Sequence, residues 1–146
     1  MILTVTAAVI LGVTSGAAQS DLVKERVDLM AEQGKAMGAL TKIARGEVPY
    51  DQATVDQAFA ALKESASELP DLFPPTAKGE DPDSDYYASE KVWENKADFD
   101  ARLKKLITEI DANAPKAKDV ESLKAARGAV GKVCGDCHET YRVKKS

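Results

Sequence analysis

The chain has 146 residues, a length that predicts a single domain. Its 44% hydrophobic and 30% charged residues are typical of a globular protein and argue against a disordered or multispan membrane protein. The formal net charge is −4, which argues against the basic field that holds a nucleic-acid backbone, so nucleic acid is not expected as a partner.

The first 18 residues contain no charged side chain and end in the small residues Gly16, Ala17 and Ala18. This pattern is typical of a secretory signal peptide, and we expect cleavage after Ala18. The apolar run has about 12 residues, whereas a membrane-spanning helix needs about 20. The sequence therefore predicts an exported, periplasmic protein whose mature domain covers residues 19–146 and contains no membrane span.

Four amphipathic segments with helical periodicity follow, and helix breakers separate them. They cover about residues 20–45, 52–69, 89–113 and 117–144. In the first segment the stripe of one face consists of Leu22, Leu29, Met30, Gln33, Met37, Leu40 and Ala44.

The stretch between the second and third segments, residues 70–88, is rich in proline and acidic residues. We expect it to be neither helix nor interior strand but a crossing loop, and no strand is predicted anywhere in the chain. Four helices with otherwise short connections predict an all-α protein, an antiparallel four-helix bundle.

Both cysteines and the single histidine lie within five positions, as Cys134, Cys137 and His138. The pattern C-x-x-C-H is the attachment sequence for c-type haem. Thiols three residues apart lie on one face of a helix, where they can add to the two vinyl groups of a porphyrin, and the adjacent imidazole can bind the iron. The sequence thus predicts one covalently bound haem c per subunit, with its iron.

The motif has three alternative interpretations: a reactive dithiol, a zinc site and a structural disulfide. A reactive dithiol is expected at the start of a helix after a strand, not near the end of a helix. A zinc site needs a fourth ligand, and no other cysteine or histidine exists in the chain. A disulfide between such close cysteines would close a loop too small to stabilise the fold much.

The run from Cys134 to Arg142, near the end of a four-helix chain, resembles the class II c-type cytochromes, which include cytochrome c' and cytochrome c-556. The Gly-Glu-Val-Pro-Tyr-Asp turn at residues 46–51 and the residues Val92, Trp93 and Phe99 extend the resemblance over the mature chain. It implies a haem near the C-terminal helix, held by Cys134 and Cys137, with His138 as the proximal ligand and a basic residue, Arg142, beside it. It also implies a homodimer as one candidate assembly.

The other side of the iron decides between an electron carrier and a ligand-binding haem. By the resemblance, the first-helix residue that faces it is Met30, as in the low-spin cytochrome c-556 branch, whereas in cytochrome c' the matching residue does not bind. Met30 as ordinary core filler, and Met37 as the ligand instead, are the alternatives. Arg26, one turn before Met30, is interpreted as a solvated charge or as a partner of a haem propionate.

The predicted function is that of a periplasmic monohaem cytochrome, not an enzyme, which carries single electrons between redox partner proteins with iron ligated by His138 and Met30. The alternative is a five-coordinate cytochrome c' that binds nitric oxide or carbon monoxide. A small peroxidase is a further alternative, but it would need a vacant iron site and a distal acid–base group. Trp93 is interpreted as a core residue rather than as a conduit for electrons. Basic residues around the haem-bearing turn predict docking to an acidic partner surface: Lys132, Arg142, Lys144 and Lys145.

Overall fold

The computed structural model describes residues 15–146, which form a four-helix bundle with one small sheet. The helices are α1 (Ser15–Ala44), α2 (Gln52–Glu68), the short α3 (Lys91–Glu94), α4 (Lys96–Asn113) and α5 (Val120–Tyr141). Two 3-10 turns, Leu69–Leu72 and Ala114–Lys116, follow α2 and α4, and the strands are β1 (Tyr86–Ala88) and β2 (Arg142–Lys144). The predicted all-α four-helix architecture is confirmed.

Most of the predicted signal segment lies outside the described residues, which begin at Ser15. The expected cleavage point after Ala18 falls in the first turn of α1. Within residues 15–146, no helix combines the length and the hydrophobicity that crossing a bilayer requires.

Local hydrogen bonds explain where the helices begin and end. Asp51 caps α2 by accepting from the Thr54 backbone N–H at 2.8 Å. Asp119 and Ser122 cap α5 reciprocally, since each side chain accepts a hydrogen bond from the backbone N–H of the other. At the end of α1, Gly46 adopts a φ of 74°, a left-handed conformation that suits glycine and reverses the chain into α2.

The predicted third helix, residues 89–113, is wrong as a single element, because it breaks at Asn95 into α3 and α4. The backbone of Asn95 leaves the helical region, with φ −120° and ψ 45°. The break lets the short α3 turn so that Val92 is buried and the Trp93 indole N–H donates to the Pro74 carbonyl at 3.1 Å. These are long-range contacts, which a local periodicity does not reveal.

The expectation of no strands is also wrong. Tyr86, Tyr87 and Ala88 pair antiparallel with Lys144, Val143 and Arg142, in that order. The predicted fourth helix therefore ends at Tyr141 rather than at residue 144. Each strand has only three residues, too few for a clear alternation, and their pairing joins segments more than 50 positions apart.

The buried apolar side chains form two groups, here called the first and the second core cluster. The first lies between all four long helices, and the second lies where the crossing loop folds over the bundle. The first cluster consists of Ala36, Leu40, Ile43, Ala44, Val55, Ala58, Phe59, Leu62, Ala66, Leu106, Ile110, Ala117, Leu123, Ala126, Val130 and Val133. The second consists of Leu29, Leu69, Leu72, Phe73, Val92, Phe99, Leu103 and Tyr141.

Candidate haem site

The two cysteines lie in the last two turns of α5 and connect the two core clusters. Cys134 packs against the first cluster, and Cys137 packs against the second. Both are half-buried and neither forms a disulfide. Burial raises the pKa of both thiols. The C-x-x-C turn therefore presents its sulfur atoms at the boundary between two apolar regions.

These features argue against the alternative interpretations of the motif. A reactive dithiol needs a lowered thiol pKa, and burial shifts the pKa of Cys134 and Cys137 in the opposite direction. Within residues 15–146, no three histidine, cysteine, aspartate or glutamate side chains are grouped as a metal cluster would require. The unpaired thiols also leave no structural disulfide to consider.

His138 follows Cys137 directly and is half-buried. Burial lowers the pKa of its imidazole, and the nearby charge of Arg142 lowers it further. A lowered pKa favours the neutral imidazole, which is the form that ligates a metal. Arg142 itself is exposed, and its guanidinium lies 4.4 Å from the centroid of the Tyr86 ring.

A side-chain network that the sequence analysis missed holds this end of α5 against α4. Arg102 donates to the Asp136 carbonyl at 2.6 Å and to the Thr140 hydroxyl at 3.2 Å. The Tyr141 hydroxyl donates to Asp98 at 2.5 Å. That bond and burial raise the pKa of Tyr141 to about 12. The helical spacing of four between Asp98 and Arg102 was visible in the sequence, but their partners on α5 were not.

The two candidate methionines of α1 belong to different regions. Met30 is half-buried and packs against the second cluster, as Cys137 does. Met37 packs against the first cluster, as Cys134 does, and a Cβ added at Gly131 would lie 3.3 Å from its methyl carbon. The structure thus brings Met30 and Cys137 to the same cluster, although they lie on helices at opposite ends of the chain.

The interpretation of Arg26 as a solvated charge is wrong, since the residue is only 4% exposed. Its guanidinium donates to the carbonyls of Ala77 and Gly79, at 2.7 and 2.8 Å, and lies 5.1 Å from the ring centroid of Phe73. Burial lowers its pKa. None of the ion pairs among residues 15–146 involves Arg26. Folding of the crossing loop over α1, which no local pattern indicates, explains the burial.

Gln33 is the second polar residue on the buried stripe of α1, and it is 7% exposed. Its amide nitrogen Nε2 is buried and has no hydrogen-bond partner within the described part of the chain. A buried polar group without a partner is costly and calls for an explanation. The signal was present in the sequence, where Gln33 interrupts an otherwise apolar stripe.

The residues of this region fit haem c. Two thiols three residues apart and a half-buried imidazole supply the attachment and ligand chemistry. Several apolar side chains that pack against the same two clusters are only partly buried, as expected for residues that line the site of a large apolar group: Leu22, Met30, Met37 and Trp93. The unpartnered amide of Gln33 and the buried charge of Arg26 supply polar groups on the same helix.

Two further expectations concern the surroundings of the motif. Trp93 packs against the second cluster, 6.4 Å from Phe73 between ring centroids, which supports its interpretation as core. In the predicted basic patch, Lys132 pairs with Asp136 at 2.6 Å and Lys145 with Glu80 at 3.9 Å. The patch therefore carries less unpaired positive charge than its four cations suggest.

Comparison with known proteins identifies the family. The family model described as Cytochrome C' matches residues 21–142. Cytochrome c-556 of Rhodopseudomonas palustris is 45% identical over 97% of this chain and 95% of its own length. The solved structure of cytochrome c' from the same organism is 36% identical, with a TM-score of 0.78 over 86% of this chain and 98% of that one.

A cytochrome c prime variant from Alcaligenes xylosoxidans, solved as a nitric oxide complex, is 29% identical, with a TM-score of 0.74 over 86% of this chain and 97% of that one. Two lines of comparison, the family model and relatives covered almost end to end, agree with the motif and the bundle. The chain therefore belongs to the cytochrome c' family of electron-carrying proteins with covalently bound haem c.

Proposed function

We propose that the protein is a periplasmic carrier of single electrons whose haem iron is ligated by His138 and Met30. The observation that carries the proposal is the common packing of Met30 and Cys137 against the second core cluster. Because Cys137 precedes His138 directly, packing of Met30 against the same cluster supports a position near the proposed attachment turn. The 45% identity to a cytochrome c-556 over nearly the whole chain supports the same assignment.

Each residue of the motif has a distinct role in this proposal. Cys134 and Cys137 hold the haem through thioether bonds, and His138 binds the iron through a neutral imidazole. When bound, haem c supplies an iron that takes up and releases one electron. The Met30 thioether is a soft ligand that favours the reduced metal and raises the reduction potential.

The two arginines have roles at the edge of the site. Arg26 is a buried cation with two carbonyl acceptors, and it pairs with a haem propionate in this proposal. Arg142 lies close enough to His138 to lower the imidazole pKa, and it flanks the proximal side of the haem. Both arginines would therefore shield the haem from solvent while adding positive charge near it.

The test compares Met30→Ala with Met37→Ala in the haem-loaded protein. In the wild-type oxidised protein we expect a low-spin spectrum with the long-wavelength absorption band of methionine-ligated ferric haem. Met30→Ala removes the sulfur and should give a high-spin spectrum. Met37→Ala, a matched control on the same helix, should keep the low-spin spectrum. A high-spin wild type, or loss of the band only in Met37→Ala, would contradict the assignment.

A second candidate function is binding of nitric oxide or carbon monoxide at a five-coordinate iron. It is supported by the similarity to the Alcaligenes cytochrome c prime variant that was solved with nitric oxide. In that function Met30 packs over the iron without binding it. Rapid carbon monoxide binding by the reduced wild-type protein, together with a high-spin spectrum, is the result that distinguishes this function from electron transfer.

The proposed periplasmic location rests on the export signal, and the proposed partner rests on the cations near the haem-bearing turn. Cleavage after Ala18 would leave Gln19 as the first residue, and the Gln19 side-chain amide donates to the Lys78 carbonyl of the crossing loop. The redox partner presents an acidic surface to Arg142 and the neighbouring lysines, in a transient contact. Electron-transfer rates with that partner should fall as ionic strength rises, and rates independent of salt would contradict electrostatic docking.

A further inference from the structure

The buried amide of Gln33 lies at the same point along α1 as the boundary between the two core clusters. Leu29, one turn before it, belongs to the second cluster, and Ala36, on the next turn, belongs to the first. On α5 the same boundary falls between Cys134 and Cys137. Gln33 therefore faces the part of the bundle where the attachment turn meets α1.

Two methionines of α1 are neighbours of Gln33 along the helix. Met30 is three residues before Gln33 and Met37 is four residues after it, and both spacings make side chains neighbours on one helix face. Side chains of an α-helix lean towards its N-terminus, so Gln33 extends towards Met30. Met37 extends to α5, where its methyl carbon lies against Gly131. Met30 is therefore the better acceptor.

We propose that the Nε2 amide of Gln33 donates a hydrogen bond to the Met30 sulfur when that sulfur is an iron ligand. This inference rests on the ligation by Met30 in the proposed function. A thioether is a weak acceptor, but an amide donor buried without any other partner gains from even a weak one. Gln33 is thus a positioning residue that acts on the iron through Met30.

The sign of the effect follows from the direction of the amide dipole. The N–H group turns its positive end towards the ligand sulfur and the iron. Reduction of the iron removes one positive charge, so a positive partial charge nearby favours the reduced form. The Gln33 amide therefore raises the midpoint potential, and it also restrains Met30 in the ligated orientation.

The experiment measures the midpoint potential and absorption spectrum of the haem-loaded protein with Gln33→Leu, which keeps similar volume but removes the donor. We expect the redox equilibrium to shift about tenfold towards the oxidised form, or 59 mV for a one-electron couple, with the low-spin spectrum retained and the sulfur band displaced. Gln57→Leu, the same change at an exposed position of α2, is the matched control and should leave both unchanged.

A second pair of variants tests the identity of the acceptor. In a Met30→Ala background Gln33→Leu should cause no further shift, whereas in a Met37→Ala background the shift should persist. The reverse pattern would overturn the inference, and so would an unchanged potential and sulfur band in Gln33→Leu beside a low-spin wild type. A high-spin wild type would overturn the proposed function, and this inference with it.

Discussion

The two core clusters are built differently, although each packs against one cysteine of the C-x-x-C-H motif. The first cluster is mainly aliphatic and comes almost entirely from the four long helices. The second is rich in aromatic side chains. Half of its residues lie in the crossing loop or close to its ends: Leu69, Leu72, Phe73 and Val92. Regular helices thus supply most of the first cluster, whereas the crossing loop and the short helical turns beside it supply half of the second.

The aromatic rings of the second cluster form a continuous series towards His138, the proposed haem ligand. Phe73 and Phe99 pack edge to face with centroids 4.7 Å apart, and Phe99 and Tyr141 do so at 5.2 Å. Tyr141 lies one helical turn after His138. A disturbance of the second cluster therefore reaches His138 through a series of rings, whereas the first cluster meets the attachment turn at Cys134 without such a series.

Among the variants that test the difference between the two clusters, Phe99→Ala is expected to have the largest effect. Loss of a buried aromatic ring should lower the free energy of unfolding by about 3–5 kcal/mol, and it should also change the haem spectrum or midpoint potential. The control is Leu62→Ala in the first cluster, which should cost about 2–5 kcal/mol and leave the spectrum unchanged. Urea unfolding measures the loss of stability, and redox titration and absorption spectra measure the change at the haem. Equal spectral changes in the two variants would contradict the difference between the clusters.

A smaller effect on stability is expected from Arg26→Met, which tests how firmly the crossing loop is held against α1. The substitution keeps an apolar stem but removes two hydrogen bonds from a charged donor to Ala77 and Gly79. We expect a loss of about 2 kcal/mol in unfolding free energy and a lower midpoint potential, since a positive charge disappears. The exposed Arg45→Met is the control, and its effect on stability should stay within about 0.5 kcal/mol. Similar values for both variants would show that the buried guanidinium contributes nothing specific.

The smallest expected effect is on the pH dependence of stability, through the hydrogen bond between Tyr141 of α5 and Asp98 of α4. The hydrogen bond from Tyr141 lowers the pKa of Asp98, with a contribution from Arg102. A carboxyl whose pKa is lowered by folding stabilises the native state above its unfolded pKa, about 4, and this stabilisation is lost as the pH falls through the folded pKa.

Tyr141→Phe should therefore reduce stability at neutral pH, and the difference from wild type should disappear in acid. Unfolding in urea at a series of pH values measures this, with Tyr87→Phe in β1 as the control. A deficit that persists unchanged at the lowest pH would assign the effect to packing of the ring rather than to the carboxyl.

Local signals predicted much of the fold and of the site. The stripes of apolar residues and the breakers at Gly46 and Pro70 indicated α1 and α2, and the C-x-x-C-H pattern located the attachment turn on α5. The break at Asn95, the strands and the burial of Arg26 were missed. All three depend on where the crossing loop lies against the bundle, and hydrophobic periodicity contains no information on such distant contacts.

Gln33 is an intermediate case. Its place on the apolar stripe was evident from its spacing, but its lack of a partner became evident only when every neighbouring donor and acceptor was in place. The sequence can therefore indicate a polar residue at a core position, but only the structure shows whether that residue has a hydrogen-bond partner.

The pairing of β1 with β2 restrains the chain that follows His138, the proposed haem ligand. The last turn of a helix normally frays, and His138 is only three residues from the end of α5. The chain does not run free after that end, because the next three residues are tied by a ladder to the crossing loop. His138 thus lies between Cys137, the proposed attachment residue, and a hydrogen-bonded strand, so an iron bound as proposed would need little structural rearrangement when an electron arrives or leaves.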